Sequence, residues 1–199
     1  MARPREFDID EAIEKAVEVF WAKGYDGAAL PDLLDGMGIA RGSLYKAFGD
    51  KKKLFLRVLK HYDEVAVAGA VDLLTDQQEP DGGKRIARLF DSIIEAVRNG
   101  DRRGCLMCNA AAGPASEDPD IGKVVSSMLA RMTGAFAAAL RDSEHGQQLA
   151  SEARKAEAES LTASYVGLRV LAKAGASIDR LRAAASAAAA RAVTAPAQT

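Results

Sequence analysis

Residues 37–54, with the sequence MGIARGSLYKAFGDKKKL, decide the fold and the function class of this 199-residue chain. Gly38 interrupts the apolar periodicity, and Leu44 and Phe48 then follow four residues apart, the spacing of one helix face. Asp50 precedes a longer periodic segment and suits a helix N-cap. The stretch therefore predicts a short helix that follows a glycine turn and ends just before the N-cap of a longer helix.

The remaining sequence also has the periodicity of helices. Alanine is abundant throughout, β-branched residues rarely alternate with polar ones, and no segment has the pattern of a strand. We therefore predict an all-α protein of about nine helices. The expected helices cover roughly residues 8–24, 31–37, 39–48, 51–74, 84–98, 104–112, 121–140, 153–174 and 179–193.

These helices divide into two parts that share the fourth helix. The first three, within residues 1–50, form a helix-turn-helix domain, and residues 51–199 form a larger helical bundle. A turn-rich segment, TDQQEPDGG at residues 75–83, follows the fourth helix. Because the fourth helix, over about 51–74, begins at the first part and continues into the second, we expect movements of the two parts to be coupled.

The overall charge excludes a uniformly basic or strongly acidic protein but hides a local basic segment. The chain has 27 basic and 28 acidic residues, which give a formal net charge of −1. Residues 39–62 contain seven bases and one acid, whereas residues 6–35 contain nine acids and two bases. A charged run usually marks only a solvated surface. Here the basic segment coincides with a helix-turn-helix unit, which favours DNA binding.

In such a unit the second helix enters the major groove while neighbouring helix ends hold the phosphates. Basic side chains can donate to guanine edges, and a hydroxyl can contact a base or a phosphate. The free backbone N–H groups and the dipole at a helix N-terminus favour an anion. The predicted DNA-contacting residues are Arg41, Gly42, Ser43, Tyr45, Lys46 and Lys51.

This part of the chain resembles the DNA-binding motif of the TetR family of bacterial transcriptional regulators. The family pattern is a helix ending in G[FY], a short helix, and then G-[IV]-S-x-[GS]-[ST]-[LIF]-Y-x-[HYA]-F-x-[SND]-K-x-x-L. Gly24-Tyr25 matches the first element, and the rest is matched in register by Gly38, Ile39, Gly42, Ser43, Leu44, Tyr45, Phe48, Asp50, Lys51 and Leu54. The resemblance implies that Ser43, Tyr45 and Lys51 contact phosphates and that Arg41 and Lys46 read bases.

The chain departs from the family pattern at three positions. Ala28-Ala29 stands where the family usually has Thr-Ser or Thr-Thr, and Ala40 stands where a Ser usually caps the recognition helix. Loss of a side-chain cap costs about 1 kcal/mol, and one hydroxyl that contacts phosphate is absent. We therefore expect either weaker DNA binding or compensation by Lys52 and Lys53.

Family members use their C-terminal helices for a ligand pocket and for dimerisation, so the resemblance implies a homodimer that a small apolar effector releases from operator DNA. Small residues in the last two helices allow close helix approach and suit a four-helix dimer interface. Methionine and aromatic residues can line an effector pocket, although this pattern is also typical of a bundle core. The candidate pocket residues are Phe90, Ile94, Met107, Met128, Met132, Phe136 and Tyr165.

Both cysteines of the chain lie in one short segment, residues 104–109. Cys105 and Cys108 are three residues apart and share a helix face, and the preceding Arg102-Arg103 and a nearby helix N-terminus would lower a thiol pKa. The segment resembles that of TetR-family repressors that sense electrophiles or oxidants. Two explanations stay open: a thiol-based sensor, and buried cysteines that act as small apolar side chains.

Other function classes find no support in the sequence. The chain has no Gly-rich phosphate loop, nucleophile elbow or HExxH motif, so we expect neither enzyme activity nor a cofactor. His61 and His145 are not at ligand spacing from the cysteines, so we expect no metal. No apolar run would span a membrane and no secretory signal is visible, which favours a cytoplasmic protein. A helical carrier or interaction protein that does not bind DNA is the alternative.

Overall fold

The computed structural model describes residues 7–193, and within them the chain forms ten α-helices, one short 3-10 helix and no strand. The prediction of an all-α fold is confirmed. No helix in this range is long and apolar enough to cross a membrane. The helices are α1 (Ile9–Gly27), α2 (Leu30–Met37), α3 (Arg41–Phe48), α4 (Lys51–Tyr62, then a π-helical turn at Asp63–Val67, then Ala68–Thr75), α5 (Gly82–Arg98), α6 (Leu106–Ala112), α7 (Pro119–Arg141), α8 (Glu144–Gln148), α9 (Ser151–Lys173) and α10 (Ile178–Val193).

The helix count exceeds the expected nine because the sequence pattern did not predict α8. This helix has five residues, and Ser143 caps it by accepting a hydrogen bond from the backbone N–H of Gly146 at 3.0 Å. α5 also begins earlier than expected, so Gly82 opens a helix instead of belonging to a turn. Gly82 packs against the carbonyl of Ala139, and a Cβ at this position would lie 1.8 Å from that oxygen.

Local capping explains where α1 begins and ends. The Asp8 carboxylate accepts hydrogen bonds from the backbone N–H groups of Asp10 and Glu11 at 2.8 and 3.0 Å. Helical geometry is interrupted at Gly24, whose φ of 72° is readily adopted by glycine. The expected break at Gly24 is therefore present, and one further turn continues to Gly27.

α1 and α3 pack against the first half of α4, which also contacts α6 and α7, and the second half of α4 packs against α5 and α7. The ring centroids of Phe20 in α1 and Phe55 in α4 are 4.8 Å apart. Buried apolar side chains continue from α1 to α10 as one cluster. The apolar core is therefore continuous along α4, and the division near residue 50 stays a prediction.

Candidate nucleic-acid interface

α3 has one buried face and one exposed face. Leu44 and Phe48 are buried at 0% and 3% exposure and hold the helix against the N-terminal core. On the other side, Arg41, Gly42, Tyr45 and Lys46 are exposed and Ser43 is half-buried. The predicted DNA-contacting residues of α3 thus lie together on the surface that faces away from the core.

The glycine turn between α2 and α3 sets the angle at which α3 leaves the domain. Gly38 has the left-handed φ of 66°, which glycine adopts without steric cost. Its N–H donates to the carbonyls of Leu34 and Asp35, which would otherwise be unsatisfied at the end of α2. A residue with a side chain at this position would strain the turn and tilt α3.

The exposed face of α3 has two cationic side chains that are not neutralised by carboxylates of residues 7–193. Among residues 7–193 neither Arg41 nor Lys46 forms an ion pair with a carboxylate. The Arg41 guanidinium instead lies 5.8 Å from the ring centroid of Tyr45. Cation and ring therefore form an exposed pair that can contact bases and the sugar-phosphate chain together.

Three consecutive lysines open α4, and each has a different partner. Lys51 lies over the ring of Tyr25, with Nζ 4.7 Å from the centroid. Lys52 forms ion pairs with Asp118 and Asp120 at 2.8 and 2.7 Å. Lys53 pairs with Asp50 at 3.4 Å. Within the described part of the chain Lys51 is thus the one of the three without a carboxylate partner.

Asp50 fixes the start of α4 as the sequence predicted. Its carboxylate accepts a hydrogen bond of 2.7 Å from the backbone N–H of Lys53, and this hydrogen bond is the main reason that the pKa of Asp50 lies below its ordinary value. The ionised carboxylate satisfies one N–H and leaves the others at the end of the helix available. Lys51 beside these N–H groups makes a site suited to one phosphate.

The alanines that replace the usual hydroxyl residues have separate structural consequences. Ala28 is fully buried, whereas Ala29 is exposed at the N-cap of α2 and Ala40 is exposed at the N-cap of α3. At α2, the Asp32 carboxylate in the first turn accepts a hydrogen bond of 3.0 Å from the backbone N–H of Ala29, the N-cap residue. No side chain caps α3.

The compensation by Lys52 and Lys53 stays a prediction, and it would require both side chains to leave their present carboxylate partners. Carboxylates already hold both side chains in the protein without DNA. The sequence could not reveal this for Lys52, because its partners lie more than sixty positions away along the chain.

The candidate pocket residues are brought together inside the C-terminal bundle. They come from α5, α6, α7 and α9, and all seven are buried. The ring centroids of Phe90 and Phe136 are 6.1 Å apart, and those of Phe136 and Tyr165 are 6.5 Å apart. One open groove between α5 and α10 is lined by charged and polar side chains and by Ile94. The effector pocket stays a prediction.

The two cysteines lie in a buried polar cluster where α6 packs against α4. Cys105 is the N-cap of α6, and its Sγ accepts a hydrogen bond from the Tyr62 hydroxyl at 3.3 Å. Hydrogen bonding from the Cys108 thiol, together with the positive charge of Arg169, lowers the pKa of Cys105 to about 6. The same interaction raises the pKa of Cys108. Cys105 is therefore the more acidic thiol of the pair.

Sequence reasoning missed Tyr62 and Arg169 near this sulfur and named Tyr165 only for the effector pocket. Tyr62 lies on α4, and Tyr165 and Arg169 lie one turn apart on α9, where an arginine among apolar residues was the available signal. Burial raises the pKa of Tyr62, so its hydroxyl stays protonated and donates to the sulfur. No group of three or more potential metal ligands occurs within residues 7–193.

Arg103, two residues before Cys105, contacts the N-terminal part directly. Its guanidinium lies 4.0 Å from the ring centroid of Trp21 and forms an ion pair with Glu18, both on α1. Asp101 accepts two further hydrogen bonds from the same guanidinium, each at 3.1 Å. The cysteine segment is thus attached to α1 through Arg103 and to α4 through Tyr62.

The chain is similar to known bacterial transcriptional regulators. Residues 12–58 match the family model described as bacterial regulatory proteins, tetR family. The HTH-type transcriptional regulator YezE of Bacillus subtilis is 33% identical over 186 residues, which cover 92% of this chain and 94% of YezE. The HTH-type transcriptional repressor ComR of Escherichia coli is 28% identical over 90% of this chain and 86% of its own.

A solved structure extends the similarity to a DNA complex. The TetR family regulator CifR, as a cysteine mutant complexed with 26-bp operator DNA, is 32% identical with a TM-score of 0.80. The match covers 94% of this chain and 98% of CifR. The chain therefore belongs to the TetR family of bacterial transcriptional regulators, and it is a DNA-binding regulator.

Proposed function

We propose that this regulator is a cytoplasmic repressor that binds its operator as a homodimer through α3 and the start of α4, and that a small apolar effector releases it. The observation that carries the proposal is the exposed face of α3, next to Lys51 at the N-terminus of α4. On this face Arg41 and Lys46 have no carboxylate partner among residues 7–193. ComR is named a repressor and CifR is seen with operator DNA, which supports the same role.

Each predicted DNA contact has a separate task. Arg41 and Lys46 donate to base edges in the major groove and supply sequence discrimination. Ser43, Tyr45 and Lys51 hold phosphates and fix the register of the helix, and Gly42 lets the helix backbone approach the groove. In a two-fold dimer the two α3 helices enter successive major grooves about 34 Å apart.

The dimer is proposed to form through α9 and α10, which pack side by side. Their exposed residues include small side chains and one large apolar side chain, Val170, which is 47% exposed. Exposed small residues allow two such helix pairs to approach closely as a four-helix interface. The residues concerned are Ala163, Val170, Ala183 and Ala187.

α4 extends from the proposed DNA face into the bundle that holds the candidate pocket, so it can transmit the movement that releases the protein from its operator. An effector that fits only the conformation with a different spacing of the two α3 helices would stabilise that conformation and lower operator affinity. The π-helical turn at Asp63–Val67 interrupts regular hydrogen bonding halfway along α4 and is where a bend is least costly.

Fluorescence anisotropy on the duplex upstream of the protein's own gene tests this function. Tyr45→Ala and Lys51→Ala each remove a phosphate contact, so operator affinity should fall about tenfold or more. Lys15→Ala is the matched control, because Lys15 is an exposed lysine on α1 paired with Glu11. Full affinity in both Tyr45 and Lys51 variants, or wild-type affinity that is independent of salt, would favour the carrier protein instead.

The cysteine cluster supports a second candidate, a repressor controlled by oxidation of Cys105. The favouring observation is that Tyr62, Cys108 and Arg169 together stabilise a buried thiolate where α1, α4 and α6 meet. A peroxide would convert the Cys105 thiolate to a sulfenic acid with loss of hydroxide. The Cys108 thiol would then displace the sulfenic oxygen as water and form a disulfide.

Oxidation would remove the anion to which Tyr62 donates and would reshape the N-terminus of α6. The attachments of this segment to α4 and α1 would change as a result, and α3 would move with them. Treatment with hydrogen peroxide should release the protein from the duplex, and a thiol reductant should restore binding. Cys105→Ser should abolish the response to oxidant but keep DNA binding. If oxidant does not change DNA binding by the wild-type protein, control by an apolar effector is the supported alternative.

A further inference from the structure

Lys52 follows Lys51 at the start of α4, but its ammonium group contacts carboxylates at the start of α7. Lys51 and the uncapped N–H groups beside it form the predicted phosphate site at the start of α4. Lys52 is the next residue, and its Nζ is 2.8 Å from Asp118 and 2.7 Å from Asp120. Both carboxylates belong to the start of α7, so this ion triad joins the DNA-binding part to the bundle.

We propose that Lys52 is a phosphate-binding residue that Asp118 and Asp120 withhold from DNA, so that the position of the start of α7 sets operator affinity. The inference rests on the proposed DNA-binding function and adds a regulatory contact to it. Carboxylate and phosphate oxygens compete for the same ammonium donors, so Lys52 binds either the triad or the DNA.

The charge balance of the triad favours such a competition. Two carboxylates and one ammonium leave one excess negative charge one residue from the phosphate site of Lys51. Hydrogen bonds to Asp118 and Asp120 also raise the pKa of Lys52, so its ammonium stays charged. Lysines in the first turn of α4 oppose the helix dipole unless anions lie nearby, and both carboxylates and phosphates meet that need.

The two acidic residues are not equivalent. Asp118 also caps α7 by accepting from the N–H groups of Asp120 and Ile121 at 3.0 and 3.4 Å, so its loss would damage the helix. Asp120 is no cap acceptor for α7 and its side chain is 67% exposed. Asp120 can therefore be replaced without loss of the cap, and Asp120→Asn is the variant that tests the triad.

α7 connects the candidate effector pocket to α4, so a movement at the pocket can reach Asp118 and Asp120. It contains Met128, Met132 and Phe136 of the candidate pocket, and Arg131 pairs with Asp63 at the π-helical turn of α4. A shift of α7 along or away from α4 would separate Asp118 and Asp120 from Lys52. The triad thus converts a movement of the bundle into a change in the charge offered to DNA.

The test measures affinity for the duplex that the wild-type protein selects from a random library, over a range of salt concentrations. Asp120→Asn should raise affinity about three- to tenfold and steepen the dependence of log K on log salt by about 0.9, the slope of one further phosphate contact. Glu117→Gln is the matched control, because Glu117 is exposed, adjacent to Asp118 and unpaired with Lys52. The change in affinity caused by Glu117→Gln measures the effect of removing one negative charge that does not contact Lys52.

A double-mutant cycle then identifies the lysine. In a Lys52→Gln background, Asp120→Asn should have no effect beyond that of Glu117→Gln, because no withheld ammonium remains to be released. The proposal is overturned if Asp120→Asn matches Glu117→Gln in the wild-type background, or if its gain persists without Lys52. Failure of the wild-type protein to select any duplex, or full binding by Lys51→Ala, would instead count against the proposed function.

Discussion

At the scale of single residues, Cys105 and Cys108 show how one hydrogen bond separates two identical thiols. Hydrogen bonding with Cys108 lowers the pKa of Cys105 to about 6, and the same interaction raises the pKa of Cys108. Only the thiolate reacts with electrophiles. Cys105 is therefore the more acidic thiol of the pair, and both thiols are buried.

We expect the alkylation rate of Cys105 by iodoacetamide to rise with pH up to about 6 and then level off, because the thiolate is fully formed above its pKa. Cys108→Ala removes the donated hydrogen bond and should move this midpoint to higher pH. Cys108→Ser keeps a donor and should move it less. Peptide mass spectrometry after timed labelling measures the rate, and an unchanged midpoint in Cys108→Ala would show that Cys108 is not the donor.

Arg85 illustrates a buried charge that serves structure. It is 1% exposed, donates to the carbonyl of Leu74 at 3.1 Å, and forms an ion pair with Asp142 at the end of α7. The side chain of Asp142 is 43% exposed, so the two partners differ in their access to water.

Because of this difference, Asp142→Ala should destabilise the protein more than Arg85→Met. Loss of Asp142 leaves a buried guanidinium without its anion, at a cost of about 3 kcal/mol in the free energy of unfolding. Arg85→Met leaves a carboxylate that water can solvate and one carbonyl without its donor, at about 1 kcal/mol. Urea denaturation measures both, with the exposed Arg88→Met as control, and the reverse order would contradict this assignment.

At the scale of elements, the helix caps determine how firmly the DNA-reading unit is held. α1 and α4 are capped by Asp8 and Asp50, whereas the N-cap residues of α2 and α3 are alanines without a side-chain acceptor. The two helices of the helix-turn-helix are therefore the less well capped ones. They depend on the buried faces of Leu33 and Leu44 for their position.

Ala29→Ser should stabilise the protein by about 0.5–1 kcal/mol, since an exposed serine at the N-cap of α2 can accept from a free backbone N–H. Ala28→Ser is the matched control one residue earlier. Ala28 is fully buried, so a hydroxyl there should lower the free energy of unfolding. Thermal unfolding followed by circular dichroism compares the two, and stabilisation by both or by neither would show that capping does not limit α2.

At the scale of the whole molecule, the proposed dimer sets the spacing of the two DNA-reading helices. The large apolar side chains more than 40% exposed within residues 7–193 are Tyr45, Val65 and Val170. Tyr45 lies on the proposed DNA face, and Val170 lies on α9 in the proposed dimer interface. Val65 lies in the π-helical turn of α4, away from both.

Val170→Asp should convert the dimer to a monomer and abolish tight operator binding, because burying a carboxylate in an apolar interface is costly. Val65→Asp makes the same change outside the proposed interface and should leave the mass in solution at that of the wild type. Light scattering coupled to size-exclusion chromatography reads out the mass. A dimeric Val170→Asp protein that still binds DNA would place the interface elsewhere.

The sequence by itself determined the helical fold, the family and the position of the helix-turn-helix, because these depend on short-range patterns. The four-residue spacing of Leu44 and Phe48, the turn at Gly38 and the cap at Asp50 are all readable within a few residues, and the structure has them where the pattern predicted. The helix α8 escaped prediction because five residues carry no periodicity.

Which charged and polar groups meet depends on how the helices pack against one another. Tyr62 reaches Cys105 across 43 positions of sequence, and Lys52 is paired with carboxylates on α7 instead of being available to replace the missing hydroxyls. Such contacts depend on how helices pack in space, and side-chain spacing along one helix carries no record of its neighbours. The residues of the DNA face could be named from sequence, whereas the attachments proposed to regulate that face became visible only in the packed molecule.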